Sequence, residues 1–546
     1  MKNFLTFLFA FVIFPILFVV FTRAKDDVVS GIQGRTQLKP KKEKVDFSKM
    51  TKQQWVNYWM KKLTLEQKVA QMVMPDARGI FIARNNKEFK RLVHYVKDRK
   101  VGGLIFFRGD VFETADMINY FQKISDVPLL ISADFEWGTA MRLDNTTHFP
   151  PAMGIAATGN PDYAYEVGRI IAIEGRAIGI HQNYAPTVDV NNNYRNPIIN
   201  IRSFGETPEI VSKFSIPFIK GLQENGMIAT AKHFPGHGDT DIDSHLDLPV
   251  INHSKARIDS IELPPFKDAI KSGVKSIMIA HISFPQLDTA KNLPATLSYN
   301  IVTGLLKKEL GFKGLIVTDA MTMRGVTKLY SNALASVLAV KAGNDIILMP
   351  PNVDEAIDAV VKAVKRGEIS EERINESVKK ILEFKYELGL HKNRFVDIDK
   401  IRDVVATEEN LRKAKEISRA SITIVKNENI LPLIQFGDKK ILHITIVDSN
   451  DPNSGGYFAS QLSQRYDNIS FERVDLRSTN GELNSILSKI NNFDIVIVSA
   501  YVRVRAYQAS LTLVEKHAKF LRQVINSGKP VILISFGNPY IVMDYP

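Results

Sequence analysis

The chain has 546 residues, with 71 Lys and Arg against 59 Asp and Glu and a formal net charge of +12. That length suits two to four domains, or one large barrel with an addition, and excludes a peptide or small scaffold. With 45% apolar and 24% charged residues and ordinary Gly and Pro usage, collagen, coiled-coil and wholly disordered classes are excluded too. No cysteine is present, so disulfides, thiolate metal sites and cysteine nucleophiles are impossible.

The first element is an apolar run from Phe4 to Phe21, broken only by Thr6 and Pro15, preceded by Lys2 and closed by Arg23 and Lys25. Residues 1–24 are expected to be a signal peptide or a membrane anchor, with a buried N-terminal helix as the third reading. Export follows from the first two, to a periplasmic, extracellular or membrane-anchored position. Residues 25–50 are expected to be a basic tether: Arg23 to Lys49 holds eight basic and four acidic residues, a third of the net charge.

After the tether, Thr64 with Gln67 three residues on predicts a capped helix start. Short apolar runs then recur at Gly103–Phe107, Pro128–Asp134, Asn183–Val190, Ile228–His233, Ser276–Ile282, Leu315–Asp319 and Asp345–Met349. Helix starts fall between them at Asn160-Pro161 and Thr207-Pro208, and a helix stop at Asn225-Gly226. Strand and helix alternating this way predict an α/β chain, and seven or eight strands favour a TIM-type (β/α)8 barrel over 51–390. Asp134, His233, His281 and Asp319 each fall at or next to the end of an apolar run, on the barrel face that carries chemistry. Residues 391–430 are expected to link to a smaller C-terminal α/β domain over 431–546. Its strands are expected at Ile441–Asp448, Phe493–Ser499 and Val531–Phe536, with a helix over Ser510–Ile525.

The densest reactive cluster runs from Lys232 to His245 and reads Lys-His-Phe-Pro-Gly-His-Gly-Asp-Thr-Asp-Ile-Asp-Ser-His. His233 and His237 have helical metal-ligand spacing, but Pro235, Gly236 and Gly238 argue against a helix, and no Glu follows the first His. No metal and no cofactor are expected. The better reading is a strand ending at His233 and a glycine-hinged loop, in which Asp243 accepts from one nitrogen of His245 and sets the tautomer. An Asp-x-His spacing alone is an ordinary turn feature; its place beside Lys232 and His233 at a barrel mouth is what points to catalysis. Asp319, after Leu-Ile-Val-Thr, is either a helix N-cap or a carboxylate delivered to the pocket. In Ser132–Gly138, Asp134, Glu136 and Trp137 suit sugar hydroxyls and ring stacking, with an ion pair from Glu136 to Arg142 as the alternative.

The Lys232–His245 string, Asp319 in its strand-end setting, Arg202-Ser203-Phe204-Gly205 and Pro294-Ala295-Thr296-Leu297-Ser298 together resemble glycoside hydrolase family 3, and within it the β-N-acetylhexosaminidase branch. The resemblance covers residues 50–390 closely and the remainder less closely. It implies a retaining exo-hydrolase acting on terminal β-linked N-acetylglucosamine of cell-wall, peptidoglycan-type or chitin-type glycans. By motif match, Asp319 is the nucleophile and His245 the general acid/base oriented by Asp243, while Asp134, Arg202, Lys232 and His233 bind sugar hydroxyls. Two departures stand out. Glu136-Trp137-Gly138 occupies the place of Glu-Gly-Gly, and the family's second domain is expected to continue past Tyr545-Pro546, which implies a fragment or else a short sheet with an exposed edge.

Three alternatives compete. A β-glucoside-cleaving relative would usually draw its acid/base from the second domain, against the Asp243-Ser244-His245 element. Phosphate, which a carboxylate base would repel, is a candidate acceptor in place of water, giving a phosphorylase. A non-catalytic glycan-binding barrel is opposed by the presence of both Asp319 and His245. Nucleic acid is not expected as a partner, since the phosphate-cradling G-x-x-x-x-G-K-[ST] loop and an RNA-binding aromatic motif are both missing.

Overall fold

A computed structural model describes residues 45–241, 243–433, 438–449, 451–502 and 511–545. The apolar segment 4–21 and nearly all of the tether lie outside the described residues. Among the described residues, no helix is long and apolar enough to cross a membrane.

The first strands are β1 (Val73–Met74), β2 (Asp76–Gly79), β3 (Gly103–Asp110), β4 (Leu130–Ala133) and β5 (Leu143–Asp144). They are followed by β6 (Gln182–Asn183), β7 (Ile228–Phe234), β8 (Ser276–Ile279), β9 (Leu315–Thr318) and β10 (Ile347–Leu348). Parallel pairing runs β2-β3-β4-β6-β7-β8-β9, and β10 pairs with β1. The parallel bridge between Val317 and Ile346 joins β9 to β10, while the Ile105 amide bonded to the Pro75 carbonyl joins the first segment to β3. Counting 73–79 as one staggered strand, the ring closes at eight. This is a TIM-type barrel, and β4, β8 and β9 are buried at every position because helices cover the outside and side chains fill the inside.

Local signals account for the helix ends. Thr64 accepts from the Gln67 amide in a full capping box, Thr207 caps the helix Pro208–Glu224, and Gly226 follows that helix at φ +79°. Where the strands differ from the expected runs, backbone chemistry explains it. The run at 183–190 forms a regular strand only at its start: Pro186 cannot donate to a ladder, and past it the chain stays beside β7 through the isolated Thr187–Lys232 bridge. Asp76–Gly79 is too polar to show as an apolar run, yet it forms a barrel strand.

The C-terminal unit is a parallel sheet of β11 (Ile441–Val447), β12 (Ile469–Val474), β13 (Ile495–Val502) and β14 (Val531–Gly537) in the order β12-β11-β13-β14. Helices Gly456–Ser463, Asn480–Lys489 and Glu515–Ile525 accompany it. Strand β12 is missing from the sequence expectation because it is an edge, with Phe471 exposed and an alternating rather than continuous apolar pattern. The described part of the expected 510–525 helix begins at Glu515.

The stretch expected to be a linker carries the helix Glu408–Ala420, whose Ala414 and Ile417 join the barrel's core. It is fastened by Glu174, which is fully buried. Glu174 accepts from the hydroxyls of Thr139 and Thr147 at 2.5 Å each, and from the Ala406 amide and Asn410 Nδ2 at 2.9 Å each. Glu174→Ala strands these donors without water, so a loss of about 3–5 kcal/mol is expected by denaturant titration. A loss under about 1 kcal/mol would mean the helix is held by apolar contact alone.

Candidate active site

The strand ends deliver a continuous polar floor on the C-terminal face. Asp134 follows β4, Asp189 follows the short β6, Lys232 and His233 end β7, His281 follows β8, and Asp319 follows β9. Lys232 is almost fully buried, and its Nζ bridges Asp134 Oδ1 at 2.9 Å and Glu136 Oε1 at 2.8 Å. Arg202 grips Glu136 with two donors, Nε to Oε2 at 2.9 Å and Nη2 to Oε1 at 2.8 Å. Glu136 does not pair with Arg142, the alternative the sequence suggests: Arg142 Nη2 lies 3.2 Å from Asp134 Oδ2, with its guanidinium 4.2 Å over the Phe107 ring. Burial alone would raise the Glu136 carboxyl, but Arg202 and Lys232 outweigh it and hold the group well below the usual carboxylate range.

That depression has a consequence for pH and for function. Because the folded value lies below the unfolded one, the stabilisation from Glu136 is present above about pH 4.3 and fades as the pH falls toward the folded value. Glu136→Gln would leave Arg202 less firmly placed. A rise of about tenfold in KM with a smaller change in kcat is expected from steady-state kinetics, since one charged hydrogen-bond pair is involved.

Asp189 carries no signal of its own in the sequence, where it sits inside an apolar run. It is fully buried and accepts from the backbone amides of His233 at 3.1 Å and His237 at 2.7 Å, and from His233 Nδ1 at 2.8 Å. With Nδ1 directed at Asp189, Nε2 of His233 lies 3.4 Å from Arg202 Nη2. Asp189 therefore fixes the His233 ring and the start of the loop beyond it.

The loop 236–247 brings Asp243 and His245 to the same mouth. His245 Nδ1 is 2.8 Å from Asp243 Oδ1, which also accepts from the His245 amide at 2.8 Å. The Asp243 side chain is buried and that of His245 is 23% exposed, so Nδ1 is committed to Asp243 while the ring stays partly accessible. His237 stands behind the loop, with Nδ1 2.9 Å from the Thr240 hydroxyl and Nε2 3.0 Å from the Ser244 hydroxyl. Burial and neighbouring His233 push His237 down to about 4, so it is neutral and serves as a brace. The two glycines expected to act as hinges answer a different need. A Cβ on Gly238 would meet the Val190 carbonyl oxygen at 1.7 Å, and Gly236 sits at φ +143° against the Glu262 side chain.

Asp319 is not a helix N-cap. The next helix begins at Arg324 with Met323 before it, while the Asp319 amide donates to the Ile279 carbonyl and Oδ1 accepts from the Ala320 amide at 2.7 Å. Burial would raise its carboxyl, but His233, His281 and His245 together bring it down to about 2. His281 lies between the Thr296 hydroxyl, 2.7 Å from Nδ1, and the Ala320 carbonyl, which accepts from Nε2 at 3.1 Å. Thr296, in the Pro294–Ser298 segment, thus steadies the peptide that follows the nucleophile candidate. Trp137 is half-buried, and its backbone carbonyl accepts from the Phe149 amide. Among the described residues, no group of three or more His, Asp or Glu has the arrangement to hold a metal ion.

The profile of the Glycosyl hydrolase family 3 N terminal domain matches residues 64–384. The chain belongs to glycosyl hydrolase family 3. It is 30% identical over 463 residues to a β-N-acetylglucosaminidase/β-glucosidase from Cellulomonas fimi, covering 82% of each protein. The family 3 β-N-acetylglucosaminidase from Paenibacillus sp. str. FPU-7 superimposes with a TM-score of 0.78 at 33% identity, over 89% of this chain and 92% of that one. A β-glucoside phosphorylase superimposes with a TM-score of 0.81 at 25% identity, over 92% of this chain and 91% of that one. The family 3 hydrolase therefore combines the barrel and the α/β unit, and its match spans the strand ends just described.

Proposed function

We propose that this family 3 hydrolase is a retaining, exo-acting β-N-acetylhexosaminidase that removes terminal β-linked N-acetylglucosamine. The observation that carries the reading is the Asp243–His245 pair, supplied by the barrel itself and close enough to Asp319 to bias its charge. Asp319 attacks the anomeric carbon and forms an ester to the sugar, while His245 Nε2–H protonates the departing oxygen. Water then attacks the anomeric carbon of that ester, handing a proton to His245 as the bond to Asp319 breaks and its carboxylate is freed. Asp134, Lys232, Arg202 and His233 present donors and acceptors to the sugar hydroxyls, and their mutual pairing orders them before the substrate arrives.

Comparing an aryl β-N-acetylglucosaminide with an aryl β-glucoside tests the substrate class. Preference for the acetamido sugar by at least about tenfold in kcat/KM is expected, and preference for the glucoside would overturn the reading. Phosphate as acceptor is a second reading, favoured by an acid/base that bears no negative charge when deprotonated and by similarity to a phosphorylase. Turnover in phosphate buffer that releases only free sugar, with no sugar 1-phosphate, would remove it.

We further propose that the natural substrate is a cell-wall or chitin-type glycan fragment met outside the cytoplasm, because Phe4–Phe21 has the pattern of an export or anchoring segment. Fractionating cells that carry the full chain or a chain lacking residues 1–24 tests this. Equal cytosolic recovery of both would refute it.

A further inference from the structure

A single phenol from the C-terminal unit reaches the loops of the active site. Tyr540 is fixed on its own side: Ile541 is fully buried in that unit's core, and Asn538 accepts from the Tyr540 amide while its Nδ2 donates to the Leu511 carbonyl at 2.7 Å. On the barrel side, the Tyr540 hydroxyl accepts from Asn191 Nδ2 at 3.0 Å and donates to Glu206 Oε1 at 2.6 Å. Asn191 and Glu206 stand at the two ends of one excursion of the barrel, where the Asn191 amide also bonds to the Gly205 carbonyl at 2.9 Å. One hydroxyl therefore ties both feet of segment 191–206.

That segment extends two arms into the site. Asn196 is fully buried, and its Nδ2 donates to the His237 carbonyl at 2.8 Å and the Gly238 carbonyl at 2.9 Å, with the Thr240 hydroxyl at 3.3 Å. Its Oδ1 is held by the amides of Ile198 and Ile199 at 2.9 Å each. Asn193 adds a bond to Asp241 Oδ1 at 2.6 Å, two residues before Asp243. The second arm is Arg202 on Glu136 and near His233. The loop that carries His245 is therefore braced from below by His237 and from the side by Asn196, and the side brace is footed on Tyr540.

We propose that Tyr540 is a positioning residue for the general acid/base: the C-terminal α/β unit sets, through Asn191 and Asn196, where His245 stands relative to the bond being cleaved. The proposal rests on the assignment of His245 as the acid/base. An acid displaced by a fraction of an ångström protonates a departing oxygen less well, and the deficit grows with the basicity of that oxygen. A merely structural role would lower all substrates alike.

The test uses the full chain, wild type and Tyr540→Phe, which keeps the ring and its packing against Tyr194. kcat/KM is measured on N-acetylglucosaminides with an activated aryl leaving group and with a sugar leaving group. A loss of about 5- to 10-fold on the sugar is expected, the scale of one hydrogen bond, with less than about twofold on the activated aryl group. In the His245→Ala background the Tyr540→Phe change is expected to cost less than about twofold on either substrate, because the residue it acts through is gone. Equal losses on both leaving groups, or an undiminished loss in that background, would overturn the proposal. If His245→Ala alone already shows no dependence on the leaving group, the acid/base assignment fails instead, so the two failures are separable.

Discussion

Asp319→Asn is expected to remove turnover of both aryl β-N-acetylglucosaminide and aryl β-glucoside by at least about three orders of magnitude, since an amide cannot form the glycosyl ester. The substitution keeps size and shape, and Oδ1, which accepts from the Ala320 amide, has an equivalent in the asparagine side chain. Folding is therefore expected to survive, and a matching thermal unfolding curve is the control. Residual activity within tenfold of wild type would show that another group attacks the sugar. The charge on Asp319 also bears on pH. With its carboxyl brought down to about 2 by His233, His281 and His245 despite burial, Asp319 stays ionised across the range from about pH 4 to 8. A kcat/KM profile whose acid limb lies between those values thus reports some other group. The linked stabilisation is present above about pH 3.9, the unfolded value, and is lost as the pH falls through about 2.

His245→Ala is expected to separate substrates by their leaving group. Without the imidazole, cleavage of a sugar leaving group should fall by about 10²–10⁴, whereas an activated aryl group, which departs without a proton, should be spared in the first step. Deglycosylation also loses its base, so burst kinetics with accumulation of the glycosyl-enzyme are expected on the activated substrate. Equal loss on both substrates in pre-steady-state measurements would refute the role. Asp243→Asn provides a graded companion: the amide still reaches His245 Nδ1 at the distance of 2.8 Å, but it no longer favours the Nδ1–H tautomer or the imidazolium.

Residues whose partners lie close along the chain are legible in the sequence, and those with distant partners are not. The Lys232–His245 string was legible because strand end, glycines, Asp and His lie within one stretch, and its dyad forms by a contact between residues two apart. Asp319 was legible as a carboxylate closing an apolar run, but N-cap and pocket group look alike in sequence. Only the fold separates them: the next helix begins at Arg324 with Met323 before it, so Asp319 caps no helix. Glu136 illustrates the opposite case. Arg142 is the near candidate along the chain, yet the bidentate partner is Arg202, 66 residues away, brought in by the loop after β6. Asp189, Asn191 and Asn196 gave no signal, since a buried polar residue in a loop is distinguishable only by the backbone groups that surround it.

What the sequence by itself determined is the part written in period and local chemistry: the alternation of buried strands and capped helices that makes a barrel, the absence of cysteine chemistry, and the reactive residues at the strand ends. What only the tertiary structure decided is partnership. Closing eight strands into a ring brings side chains more than a hundred residues apart to one mouth, as Asp134 and Asp319 show, and seats Tyr540 under the loop that carries Arg202. The physical reason is that a carboxylate or an amide in a buried site is oriented by whichever donors reach it. Those donors are chosen by barrel closure and unit packing, not by nearness along the chain.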